Sequence, residues 1–386
     1  MPGGSVTTPD GFVAGSAACG LKASGALDIG VLTHDGACTS AVVDTTSALP
    51  SAAILHTRSL DAAALQGVVV NAGSANAATG SPGRDDAARM TAQVEGALGV
   101  RRGSIAVSST GTIGDRLDLD RVLPGIDAAV SGRSPNGGAD FNRAICTTDR
   151  APKGGAFRLA LSEAEVLIGA AAKGAGMINP NMATMLAYVT TDATVPAADL
   201  ARLTAAAAMR SFNRISVDGQ MSPSDTLVVF AGGTGEPLRS SDLEQLEGAL
   251  TAVCRWLAIQ MVKDGEGAEH AVRVLITGAR DTDEADRVAR HVGGSPLVKT
   301  AIFGRDPNWG RISQAVGQVL VGAHGEVYEP GLTFDGTPAE AEGVEATLAL
   351  PEYDLGVALG RGEATAELWV SDLSYAYVEL NAEYHT

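Results

Sequence analysis

Aromatic side chains are scarce, at 4% of the 386 residues. A core so poor in large rings must be filled by small and aliphatic residues, which lets helices lie close on sheets. That favours layered sheets and helices, an α+β or α/β architecture. Cysteine is equally sparse. Cys19, Cys38, Cys146 and Cys254 are scattered without a CxxC pair, so reduced thiols are expected, and no ligand set at zinc spacing predicts a metal. Positive charge is in deficit, with 28 Lys and Arg against 45 Asp and Glu and a net charge of −17. Without a surplus of cations to displace counterions, nucleic acid is not an expected partner. No apolar run approaches membrane-spanning length, and Met1 to Asp10 lacks the basic and apolar blocks of a signal peptide. A soluble cytoplasmic chain with no membrane partner is expected. The phosphate-binding patterns GxGxxG and GxxxxGK[ST] are also missing.

What the chain does have is length and apolar content. Its 386 residues, 45% of them apolar, exceed one typical core and predict two lobes. Strands are expected at Asp28–Leu32, Ala41–Val43, Ala52–Leu55, from Gly67, at Ser104–Thr110 and at Ser224–Phe230. Phe157–Leu161 and Glu165–Ala171 read as a hairpin, and Cys146–Asp149 as a polar strand or strand end. Helical spacing marks Asp85–Leu98, Leu117–Val130, Pro196–Phe212, Ser241–Val262 and Thr282–Val292. Strand-like runs recur late, at Val316–Leu320, Leu348–Leu350, Ala366–Val370 and Ala376–Leu380. The turn after Gly67, with Asn71, Gly73, Asn76 and Gly80, suits a substrate pocket or a nucleotide loop. Asparagines in such turns also commonly satisfy backbone groups.

The central stretch runs from Lys173 through Gly-Ala-Gly-Met-Ile-Asn-Pro-Asn-Met-Ala183-Thr184-Met-Leu to Asp192. A basic residue and two glycines lead into a polar loop, and Thr184 opens a buried apolar run. A hydroxyl at a loop-to-core junction is a candidate nucleophile, although an isolated threonine more often caps or packs.

Four stretches together resemble the ArgJ family of ornithine acetyltransferases, also called glutamate N-acetyltransferases. They are Lys173–Leu186 with the Thr-Thr-Asp that follows, Ser109–Leu117, Asp306–Ile312 and Tyr377–Thr386. Asn71–Gly80 and Cys146–Asp149 fit too, in family order from about residue 10 to the last residue. The resemblance implies an α+β enzyme of the N-terminal-nucleophile type that splits itself at Ala183–Thr184. An α chain of 1–183 and a β chain of 184–386 would result, assembled as α2β2. The activity implied is acetyl transfer from N-acetyl-L-ornithine to L-glutamate through an acetyl-Thr184 intermediate. No cofactor is required, although acetyl-CoA is an alternative acetyl donor in some members. Thr110 and Gly111 take the oxyanion-hole positions. Substrate contacts carry over to Thr147, Thr148, Lys173, Thr184, Glu266, Asn381 and Thr386. Lys173 suits a substrate carboxylate and Glu266 an ammonium by charge. Asp306, Asn308, Trp309 and Arg311 read as scaffold. The chain departs from the family pattern at Glu269-His270, across 44–54 and across 218–225. A paralogous acyltransferase or amidohydrolase acting on another N-acyl amino acid or amine is therefore the alternative.

Overall fold

The computed structural model describes residues 1–162, 165–179, 185–320 and 329–383. Ala183, Thr184 and Thr386 lie outside the described residues. The chain opens with β1 (Phe12–Ala17), β2 (Ile29–His34), β3 (Thr39–Asp44), α1 (Ala52–Arg58), β4 (Gly67–Ser74) and α2 (Gly80–Leu98). Next come β5 (Ile105–Thr112), α3 (Leu119–Ser131), α4 (Gly138–Ile145), β6 (Lys153–Ala160), β7 (Glu165–Lys173) and β8 (Leu186–Thr191). They are followed by α5 (Ala197–Met209), β9 (Ile215–Ser216), β10 (Thr226–Ala231), α6 (Ser240–Lys263), β11 (Ala271–Ala279), α7 (Thr282–Gly294) and α8 (Pro296–Phe303). The remainder is α9 (Trp309–Val319), β12 (Gly331–Phe334), β13 (Thr337–Pro338), α10 (Glu345–Leu348), β14 (Glu352–Ala358), β15 (Ala364–Ser371) and α11 (Tyr375–Glu383).

The strands form three sheets, in the orders β1-β2-β4-β5, β3-β10-β8-β7-β6 and β13-β12-β14-β11-β15-β9. The first two face each other across a core that includes Phe12, Leu32 and Val70 from one side and Leu186, Tyr188 and Phe230 from the other. Helices α2 and α3 cover the outer face of the first sheet through Met90, Val94, Val122 and Ile126. Helices α5 and α6 cover the outer face of the second through Leu200, Leu203, Leu250 and Leu257. A strand covered on both sides is buried at every position, which is why β2, β8 and β10 lack the alternation of a half-exposed strand. The third sheet packs on α7 and α9 over a separate core, with Val274, Val288, Val292, Val316 and Val370. The expected α+β class with layered sheets and helices is the observed one.

Four short apolar runs differ from the expected strands. Ala52–Leu55 opens α1, where the Ser51 hydroxyl accepts from Ile54 N at 3.3 Å. Val316–Val319 ends α9, whose buried residues Ile312, Ala315 and Val316 follow helical spacing from an Asn308 cap. Leu348 closes the short α10. Ala376–Leu380 lies in α11, where the Ser374 hydroxyl accepts from Tyr377 N at 3.1 Å. Runs of three to five residues do not define a period, and in α1, α9 and α11 a capping side chain marks the helix start. Cys146–Asp149 is likewise a bend and not a strand, because the Asp149 carboxylate accepts from Thr147 N at 3.0 Å.

Candidate active site

The candidate site gathers at the C-terminal ends of β5 and β7. Thr110 and Gly111 end β5, paired in register with Ala72 and Gly73 of β4. Gly111 has φ 131°, and a Cβ there would stand 2.3 Å from the Gly73 carbonyl carbon, so the close strand contact needs glycine. Lys173 ends β7 opposite Leu186 of β8. Its side chain is buried, and Nζ donates to the Thr110 hydroxyl at 3.3 Å. That bond occupies a lone pair of the Thr110 oxygen and leaves the hydroxyl proton free to be donated elsewhere.

Lys173 has an anionic neighbour. Burial would raise the Asp149 carboxyl, but the cations Lys173 and Lys153 outweigh it and, with hydrogen bonds from Lys153 and Gly174 N, hold it at about 2. Lys153 Nζ donates to Asp149 at 2.6 Å and to Asp264 at 2.5 Å. Asp264 caps the C-terminus of α6, so this buried bridge ties the 146–153 bend to the end of that helix. The turn after α6 carries Glu266, whose N–H donates to Ala175 O at 2.8 Å.

Glu266 brings three of the sequence-predicted residues into contact. One carboxylate oxygen accepts from the Thr148 hydroxyl at 2.7 Å, and the other accepts from the Asn381 amide at 3.0 Å. Gly176 lies directly against it, since a Cβ at that position would stand 2.5 Å from the carboxylate. A cavity of about 230 Å³ opens between these groups, and Thr110, Gly111, Thr147, Thr148, Lys173, Glu266 and Asn381 all line it. The cavity is thus cationic at Lys173 and anionic at Glu266.

Asp218, Gln220 and Tyr377 also line it; none was singled out as a site residue, although Tyr377 opens one of the family-like stretches and the other two lie in the divergent 218–225 segment. Burial raises the Asp218 carboxyl, although it accepts from the backbone N–H groups of Gln220, Met177 and Ile178. Burial, then the charges of Asp218 and Glu266, push the Tyr377 phenol up to about 12. The glycine-rich turn after β4 satisfies its own backbone: Asn71 donates to Ser74 O at 2.8 Å and Asn76 to Gly83 O at 2.9 Å. Asp306, Asn308, Trp309 and Arg311 stand apart from the cavity lining, and Asn308 serves as the cap of α9. Among the described residues no group of His, Cys, Asp and Glu could hold a metal ion. Among the same residues no helix is long and apolar enough to cross a membrane.

A free hydroxyl donor beside a backbone N–H, an ammonium and a carboxylate form the equipment of an acyl-transfer site for amino-acid-sized substrates. The family model of ArgJ matches residues 13–386. The arginine biosynthesis bifunctional protein ArgJ of Symbiobacterium thermophilum is 42% identical over 402 residues, covering 99% of both chains. Its counterpart in Synechocystis sp. is 38% identical over 409 residues, covering 99% of this chain and 98% of the relative. Among solved structures, the ornithine acetyltransferase of Mycobacterium tuberculosis complexed with ornithine is 33% identical. That match covers 48% of this chain and 98% of the other, with a TM-score of 0.42. The chain belongs to the ArgJ family and is an acyltransferase enzyme of arginine biosynthesis.

Proposed function

We propose that the chain splits itself at Ala183–Thr184 and then moves an acetyl group from N-acetyl-L-ornithine to L-glutamate through an acetyl-Thr184 intermediate. The observation that carries this reading is the meeting of Thr110, Gly111, Lys173, Thr148, Glu266 and Asn381 around one cavity. The strand β8, which begins two residues after Thr184, lies beside Lys173 there.

The chemistry follows from the new terminus. An α-amine has a pKa near roughly 8, so part of it is neutral at pH 7 and can accept the proton of its own hydroxyl. The Thr184 oxygen attacks the acetyl carbonyl carbon of the donor. The resulting oxyanion receives hydrogen bonds from the Thr110 hydroxyl and the Gly111 N–H. The C–N bond to ornithine breaks, and the departing amine takes the proton held by the Thr184 amine. The neutral amine of glutamate then attacks the acetyl carbonyl carbon and gives a proton to the Thr184 amine, and as the ester C–O bond breaks the Thr184 oxygen takes that proton, restoring the hydroxyl. Donor and acceptor are both α-amino acids, so one pocket serves them in turn. In this pocket Lys173 receives a substrate carboxylate, Glu266 receives the ammonium, and Thr147, Thr148, Asn381 and Thr386 complete the contacts. No cofactor enters this exchange, and acetyl-CoA is a second acetyl donor to be tried. The two halves remain together as α2β2.

Purified protein given acetylornithine with and without glutamate tests the reaction. Acetylglutamate formed only with the acceptor is expected, whereas acetate released at equal rate without it would make the protein a hydrolase. Thr184→Ala is expected to give one full-length, inactive chain by denaturing gel and intact mass. Splitting of that variant at the same bond would refute the nucleophile assignment.

A further inference from the structure

The loop joining β9 to β10 grips both sides of the stretch that contains Thr184. On the near side, the Asp218 carboxylate accepts from Met177 N and, at 3.0 Å, from Ile178 N. Ile178 O in turn accepts from Val217 N at 2.9 Å. On the far side, the Asp225 carboxylate accepts from Met185 N at 3.0 Å, and Met185 O accepts from Thr226 N at 2.9 Å. Ile178 and Met185 therefore have their backbone donor and acceptor both committed to one short loop. Asp225 is fully buried, and Met177 has φ 56°, a left-handed conformation that a residue with a side chain adopts only when held there.

Hydrogen bonds at these places constrain the chemistry through covalent geometry. Met185 N is bonded to the Thr184 carbonyl carbon, about 1.3 Å away in any conformation, within a planar peptide. Orienting that N–H thus orients the peptide plane that carries the nucleophile's own carbonyl. Asp218 lines the cavity, but both of its carboxylate oxygens are engaged with backbone N–H groups, and Asp225 is not part of the lining.

We propose that Asp218 and Asp225 are positioning residues for the nucleophile: the 217–225 loop fixes the backbone of Met177 and Ile178 before Thr184 in the chain and of Met185 directly after it. This deepens the reading above and rests on Thr184 being the nucleophile. The loop is one of the places where the chain departs from the family sequence pattern, yet both acidic residues occupy its ends. Burial pushes the Asp225 carboxyl well above the ordinary carboxylate range. A carboxyl and a carboxamide have the same shape, so Asn at 225 keeps an acceptor for Met185 N while Ala removes it.

The test follows the full-length chain by intact mass over time, then measures kcat and KM for acetylornithine on the processed fraction, with thermal midpoints alongside. Asp225→Ala and Asp218→Ala are each expected to slow splitting by roughly tenfold to a hundredfold and to lower kcat of processed enzyme similarly, with KM changed less than about threefold. Asp225→Asn is expected to recover most of the loss at 225. Wild-type splitting and kcat in both Ala variants would overturn the proposal. So would a lowered thermal midpoint with normal kcat in the processed fraction, which is a purely structural role, or an Asn variant as slow as Ala. A wild-type chain that never splits would overturn the nucleophile reading itself, and this proposal with it.

Discussion

Thr110 illustrates how one residue acquires its chemistry from a neighbour. Its hydroxyl accepts from Lys173 Nζ, so its own proton is free, and Gly111 beside it can hold φ 131° where no side chain fits. Thr110→Ala is expected to lower kcat by about a hundredfold to a thousandfold with KM little changed, measured by steady-state kinetics. An unchanged kcat would remove Thr110 from the oxyanion hole. Asp149 supplies a pH signature. Its folded pKa of about 2 lies below the ordinary 3.8, so the carboxylate contributes stability that is present above pH 4 and lost as pH falls through 2. Urea midpoints between pH 5 and pH 2 check this: Asp149→Asn should lie below wild type at neutral pH and converge with it in acid. Parallel curves would show that the buried bridge to Lys153 carries no net stability.

The elements divide by length in how legible they were. The helical spacing of Ser241–Val262 and Thr282–Val292 matched α6 and α7 closely, because several turns of apolar periodicity outweigh local ambiguity. The runs at 52–55, 316–320, 348–350 and 376–380 gave no such repeat, and helices formed where strands were expected. Ser51, Asn308 and Ser374, polar residues at the starts of the three helices that hold the first, second and last of these runs, were the readable signal. Ser51→Ala should lower stability by about 1 kcal/mol in urea unfolding, since it leaves the Ile54 N–H without its side-chain acceptor. A null result would place the stability of α1 in its packing alone.

At the scale of the molecule, the second sheet mixes both halves of the sequence. Strands β3, β6 and β7 precede position 183 and β8 and β10 follow it, with β8 hydrogen-bonded to β7 and β10 to β3. Splitting the chain would cut one connection and leave these ladders whole. Products 1–183 and 184–386 are therefore expected to coelute in gel filtration and to part only in denaturant. Separation under native conditions would contradict this arrangement. The mass of the coeluting species tests the α2β2 assembly.

The sequence by itself determined the layering of sheets and helices, the negative net charge and the long helices, because these depend on composition and period, and its motifs marked the family whose resemblance implied the α+β class. Thr184 stands out at that level through its motif. Only the tertiary structure decided that Thr148 and Asn381 both donate to Glu266, across separations of 118 and 115 residues. It likewise decided that Asp218 accepts from Met177 N and Ile178 N and Asp225 from Met185 N, on either side of Thr184 in the chain. Hydrogen bonds between residues so far apart leave no local trace in the chain, since their partners are selected by how the sheets stack and not by any spacing along the sequence.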